Sequence, residues 1–221
     1  MKINKKIKII ILSILSIILI ISIYFFCVNL NNKKILKNPE KTTNELLNAF
    51  YGNKYNKKVV SVLLDKSGNT YFKEIEENLY DKVYESLKEY GEEKIIENEN
   101  IVTIAKEYSK ENLKLLKRIK NFKIQDKVEI EDGYNFTIKI TKEDLSDVYT
   151  IRNECISKKQ NEYPEEKYNL VINYYCSKES LKEKESDKTI DKLITITVKE
   201  NEKGYYIPTS DSLNTLLSAA M

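Results

Sequence analysis

Between Ile9 and Val28 the chain runs for twenty residues without a charged side chain. As a helix rising 1.5 Å per residue this stretch covers about 30 Å, the hydrocarbon thickness of a bilayer. A cleavable signal would have a shorter apolar stretch and close on small residues. Here the run closes on Tyr24, Phe25 and Phe26, and these bulky rings before Cys27 also argue against lipoprotein processing at that cysteine, which reads instead as a small hydrophobe inside a span. Lys2, Lys5, Lys6 and Lys8 precede the run, and Lys33, Lys34, Lys37 and Lys41 follow it. The first set is packed into eight residues, whereas the second is more spread out and diluted by Glu40 and Glu45, so the N-terminus is expected on the cytoplasmic side. This divides the chain into a cytoplasmic tail (1–8), a transmembrane helix (9–30), a linker (31–38) and an extracytoplasmic domain (39–221), the whole a single-pass protein of the cell membrane.

Charge and composition narrow what the domain does. The full chain has 37 basic and 34 acidic side chains; without the four lysines of the tail the balance is 33 against 34, close to neutral, so nucleic acid is not expected as a partner. Only Arg118 and Arg152 are arginine, which leaves few planar forks for phosphate or base recognition. There is no histidine, which removes Ser-His-Asp and Cys-His catalysis and imidazole metal ligation. The five glycines form no phosphate-cradling loop. No catalytic, cofactor-binding or metal site is expected, and the chain reads as a non-enzyme. Carboxylates converging in space are the one catalytic arrangement that sequence leaves open.

Helical patterns come first in the domain. Asn38, Pro39 and Glu40 open a helix with Leu46, Leu47 and Phe50 on its apolar side and Gly52 at its end. A second helix runs from Lys57 to Leu64. A third carries Phe72, Ile75, Leu79, Val83, Leu87 and Tyr90 at steps of three and four and stops at Gly91. A fourth covers Ile101 to Lys120, with a break expected near Ser109. The period then changes to two: Val128 and Ile130, a turn at "EDG", then Phe136, Ile138 and Ile140 make one hairpin. Ile194, Ile196 and Val198, with Gly204 in the turn before Tyr205 to Ile207, make another. A short helix capped near Ser210 or Asp211 ends the chain. Between the hairpins lies a helical insertion (143–185), with Leu145, Val148, Ile151 and Cys155 on a first helix and Tyr168, Val171, Ile172, Tyr175 and Cys176 on a second opened by Pro164. Folding this pair back on itself brings Cys155 and Cys176 to similar heights, either as a disulfide or as two buried thiols. The fold class is therefore α+β, an N-terminal transmembrane helix followed by helices packed on a small curved antiparallel sheet.

This order of elements, with "TIKITKEDLSDVY" leading into the insertion, "ITITVKENEKGYYI" after it and "DSLNTLL" at the end, resembles bacterial membrane-anchored or lipoprotein-type domains of the nuclear transport factor two-like, cystatin-like superfamily over residues 39–221. Members often read K-x-x-G-x-W-x-I near their ends; Lys199, Glu200, Gly204 and Tyr206 occupy comparable places here, with tyrosine where tryptophan is usual. The resemblance implies a cone-shaped domain able to enclose a pocket, in a superfamily of enzymes, ligand binders and assembly modules.

Three functions are expected in this order. The first is a non-catalytic binding domain, held to the lipid bilayer by one helix, for a protein partner or a small apolar ligand; sixteen tyrosines supply contact area for it. The second is a scaffold subunit of a conjugation or type IV secretion-like complex. The third is a hydrolase or isomerase using paired carboxylates. A hollow cone favours ligand binding and a filled one favours assembly.

Overall fold

The computed structural model describes residues 5–52, 54–91, 95–182 and 186–220, with side chains from Ser16 onward. An apolar helix α1 (Lys5–Leu36) leads into α2 (Pro39–Tyr51), α3 (Lys57–Leu63), α4 (Gly68–Leu87) and α5 (Ile101–Lys114). Strands β1 (Ile119–Ile130) and β2 (Gly133–Glu143) follow, then α6 (Ser146–Glu162), α7 (Asn169–Lys182), β3 (Thr189–Glu200), β4 (Tyr206–Pro208) and α8 (Ser210–Ala220). The strands pair antiparallel in the order β1-β2-β3-β4, so the architecture is α+β, with α6 and α7 inserted between two neighbouring strands. Register shifts in β1 at Ile119/Asn121 and Ile124/Asp126 bend this edge strand.

Capping chemistry sets the helix starts. Asn38, Asn56, Ser67 and Asn100 each accept a backbone N–H of the first turn with their side chains, opening α2, α3, α4 and α5. Gly91 adopts φ +73 after a short 3-10 turn, a conformation that suits glycine and ends the α4 segment.

The core has two parts. In the larger, Phe136, Ile138 and Ile140 of β2 and Ile194, Ile196 and Val198 of β3 share one sheet face and pack against Leu46, Leu47, Phe50, Val59 and Val60. All of these side chains are buried, so the space between sheet and helices is filled. The second cluster lies among helices: Val83 and Leu87 of α4, Ile101, Ile104 and Ala105 of α5, and Val171, Ile172 and Cys176 of α7. Helix α4 serves both, with Phe72 and Ile75 against the first and Leu79 and Tyr80 against the second. Ser212 of α8 acts where β4 is too short to reach: it accepts from Thr197 N–H at 2.7 Å and donates to Thr197 C=O at 2.9 Å.

Several expectations are corrected. The stretch expected as a linker, 31–38, is mostly helix: α1 runs unbroken to Leu36, which is 3% exposed. Residues 1–4 of the expected tail lie outside the described residues, and 5–8 belong to α1. No break interrupts α5 at Ser109, whose hydroxyl donates to the Ala105 carbonyl at 2.9 Å inside a continuous helix. Ile119 and Lys120 are strand rather than helix, because a 3-10 turn at Leu115–Arg118 ends the helical run. Pro164 does not open α7, which starts at Asn169 after a further 3-10 turn. Ile151 faces solvent at 36% exposure, and the buried residues of α6 are Val148 and Lys159.

Candidate functional site

Two places concentrate polar chemistry: the seat of α1 and the helical insertion. At the first, Asn56 of the α2–α3 loop joins three elements. Its side chain caps α3, its Nδ2 donates to Asn32 Oδ1 of α1 at 2.7 Å, and its own N–H donates to Glu45 Oε2 of α2 at 2.6 Å. Thr42 adds a hydroxyl bond to the Ile35 carbonyl at 2.9 Å. The upper part of α1 is different in kind. Ser16–Leu36 is the one span among the described residues long and apolar enough to cross a membrane, and only 6% of its most apolar window is buried by protein. Ser22 returns its hydroxyl to the Ile18 carbonyl at 2.8 Å, as a polar group in an apolar span must.

The insertion is tied at its base, middle and tip. At the base Arg118 is buried, with Nη1 3.3 Å from Glu143 Oε2 and Nη2 donating to the Leu181 carbonyl at 2.6 Å. Glu143 also accepts from the Ser186 N–H, so one ion pair holds the end of β2, the end of α7 and the start of the return segment. In the middle, Cys155 and Cys176 are joined by a disulfide with Cα atoms 5.6 Å apart, while Cys27 is a free, exposed thiol on α1. On either side of the disulfide, Lys159 toward the tip on α6 and Lys178 toward the base on α7 have their ammonium groups withdrawn from water. Lys159 pairs with Glu97 and with Glu162 at 2.6 Å. Lys178 is 0% exposed and reaches Glu99 at 2.7 Å, Glu107 at 3.0 Å and Glu179 at 2.7 Å.

These lysines share a target. Ile96 and Glu99 pair across a two-residue turn whose Glu97 and Asn98 have φ +46 and +64, a conformation costly for side chains other than glycine and tolerated best by asparagine. Lys159 from α6 holds Glu97, and Lys178 from α7 holds Glu99. The insertion therefore clamps the turn that precedes α5. Burial pushes the Lys178 pKa down, but the hydrogen bonds it donates to Glu179, Glu99 and Glu107 outweigh this and hold it above the ordinary lysine value.

Converging carboxylates are the one catalytic arrangement the sequence leaves open. Glu99, Glu107 and Glu179 do converge, with one oxygen of each within 4.8 Å of the others. They lie where the insertion meets α5, not at the sheet: Glu99 in the turn before α5, Glu107 on α5 and Glu179 on α7. The Lys178 ammonium stands among them, with Lys182 2.7 Å from Glu107 and 2.8 Å from Glu179. A cation of the chain's own thus fills the position a metal would need. The hydrogen bonds of Lys182 and Lys178 lower Glu107 below the ordinary carboxylate value, which opposes use as a general acid. None of these lysines was singled out from sequence. Lys178 lies two residues after Cys176 in a helix that also carries Glu179 and Lys182, so nothing local sets it apart.

No family model matches this chain, and no curated protein matches it. A solved structure of similar shape is a candidate lipoprotein, ycdA, of Bacillus subtilis subsp. subtilis str. 168, at 13% identity and a TM-score of 0.46. The match covers 84% of this chain, and the chain spans 56% of the length of that structure. A likeness at this level assigns no family, and none of these comparisons supports the superfamily resemblance.

Proposed function

We propose that this chain is a single-anchor membrane protein whose α+β domain stands on the outer side and binds a protein partner without catalysing a reaction. The observation that carries the reading is α1: an apolar span with little protein around it that continues without a break into a buried junction at Asn32 and Leu36. The disulfide supports an oxidising compartment. The filled space between sheet and helices favours a protein partner over a small apolar ligand held inside a cone, and it equally suits a scaffold subunit of a conjugation or type IV secretion-like complex. The absence of histidine and the lysine-neutralised acidic cluster favour a non-catalytic role.

The test uses the full chain in cells. With Cys27→Ser removing the free thiol, Glu202→Cys in the exposed 201–205 loop should react with a membrane-impermeant maleimide on intact cells. Reaction only after lysis overturns the orientation. Cross-linking of the same cells should give a discrete heavier species: a heterologous adduct supports the binding domain, a self-adduct supports the scaffold, and no adduct overturns both.

A further inference from the structure

Arg152 projects from α6 into a cleft of about 270 Å³ between α5, α6 and α7. Its Nε donates to Ser177 Oγ at 2.8 Å and its Nη2 to Asn173 Oδ1 at 3.1 Å, both on α7. These neutral acceptors fix the plane of the guanidinium and leave its charge unbalanced: no carboxylate among the described residues pairs with it, whereas Arg118, Lys159 and Lys178 each have one. Nη1 has no acceptor among the described residues. In a chain that otherwise uses lysine, a planar fork oriented in this way suits an anion that accepts two N–H groups side by side.

The same cleft holds the complementary need. Asn112 of α5 lines it, its Nδ2 donating to Tyr108 Oη at 3.3 Å, while its buried Oδ1 has no donor in the structure. A buried amide oxygen without a donor costs free energy that a ligand N–H would recover. Beneath these polar groups Leu115, Leu145, Val148 and Leu181 form an apolar floor, all 9% exposed or less. The volume falls just under the roughly 300–1,000 Å³ typical of pockets for larger ligands, which limits the occupant to a group the size of one amino-acid residue.

We propose that this cleft binds a carboxylate joined to a short apolar group and an N–H, the chemistry shared by a free apolar amino acid and the C-terminal residue of a peptide. The carboxylate accepts from Arg152, the N–H donates to Asn112 Oδ1, and the apolar group lies on the floor between Leu145 and Leu181. The site is made by α5 and the insertion, so the inference does not depend on which side of a membrane the domain occupies.

Calorimetric titration of the full-length protein in lipid nanodiscs tests it, with N-acetyl-L-leucine, free L-leucine and N-acetyl-L-leucinamide as probes. Saturable binding of at least one of the two carboxylates is expected. The amide, which lacks the charge, should bind at least about tenfold more weakly, as should N-acetyl-L-leucine to Arg152→Gln, because a hydrogen bond to a charged group is lost in each case. The acid–amide comparison uses the unaltered protein, so it remains decisive if Arg152→Gln fails to fold. Tighter binding of N-acetyl-L-leucine identifies a chain terminus as the source, and tighter binding of L-leucine a free amino acid. No saturable binding of either carboxylate up to about 10 mM, a limit near −3 kcal/mol, or equal binding of acid and amide, overturns the proposal.

Discussion

Replacing Lys178 by methionine tests whether the insertion is held by charge or by packing. Methionine keeps most of the stem's volume and removes the ammonium, leaving Glu107 and Glu179 with Lys182 and Glu99 without its Lys178 partner. Breaking a buried ion pair by removing one partner costs about 3–5 kcal/mol. The three carboxylates keep 25–39% of their side-chain surface, so they rehydrate, and the low end of that range, about 3 kcal/mol, is expected. For a chain of this size that lowers Tm by roughly 6–12 °C. The chain has no tryptophan and sixteen tyrosines, so unfolding in urea is followed by far-UV circular dichroism and tyrosine emission. The pH dependence adds a second check. Glu107 and Glu179 lie below the ordinary value of 4.5 in the folded protein, so their contribution is present above that value and lost as pH falls through their lowered pKa. Lys178 and Lys182 lie above the ordinary 10.5, so theirs is complete below that value and lost as pH rises past it. The gap between the two proteins should therefore be widest from pH 4.5 to 10.5 and shrink in acid. A Lys178→Met protein within 1 kcal/mol of the parent at pH 7, or a gap indifferent to acid, refutes the electrostatic account.

Further consequences are checked in the same unfolding assay. Reducing the Cys155–Cys176 bond, or changing both residues to serine, opens a loop of sequence separation 21; chain entropy sets the loss at roughly 3.4 kcal/mol, and a dithiothreitol-insensitive Tm contradicts it. Asn56→Ala removes the cap of α3 and the bond to Asn32, with an expected loss of about 1–2 kcal/mol, visible also as faster proteolysis between α1 and α2. Gly133→Ala drives a Cβ into the Val198 carbonyl and the Lys199 backbone across the strand pair. A loss of about 3 kcal/mol is expected there, against a smaller effect for Gly91→Ala, where a Cβ meets nothing within 4 Å and only the positive φ opposes it. Phe136→Ala empties a fully buried site in the larger core and should cost about 3–5 kcal/mol.

Legibility followed the distance over which each feature is decided. The change from a period of three or four to a period of two marked where helices give way to β1 and β2, because alternation is set by neighbours in the chain. Asn38 and Gly91 marked helix ends for the same reason. The reading of Ile119 and Lys120 as helix failed because Ile119 continues the apolar spacing of Leu113 and Leu116, while the 3-10 turn at Leu115–Arg118 ends in an arginine tied to Leu181, 63 residues away. Ile151 was misplaced because the apolar spacing of α6 does not mark its buried side, which includes Lys159 as well as Val148. The lysine clamp was invisible from sequence: Lys178 and its partners Glu99 and Glu107 are 79 and 71 residues apart, and each looks like one more charge on a solvated face.

The seat of α1 bears directly on how such a domain would meet a partner. A flexible linker of eight residues would let the domain sample many orientations above a bilayer, and association would have to remove that freedom along with the translational and rotational freedom lost in any binding event. Here Asn32, Ile35 and Leu36 are held by Asn56, Thr42 and burial against α2 and α3, so the orientation of the domain relative to its apolar helix is set when the protein folds. Lys58 of α3 lies 5.5 Å from the ring of Phe25, which puts a cation beside the aromatic residues that favour a membrane interface. On the proposed reading, a partner confined to the same membrane meets one presented face, and the ordering cost has been met in folding. Inserting two glycines after Asn31 restores the freedom of a linker without touching the domain. Affinity for a membrane-bound partner should then fall while affinity for the same partner's soluble fragment stays unchanged, and equal loss for both would show that the helix contributes contacts and not orientation.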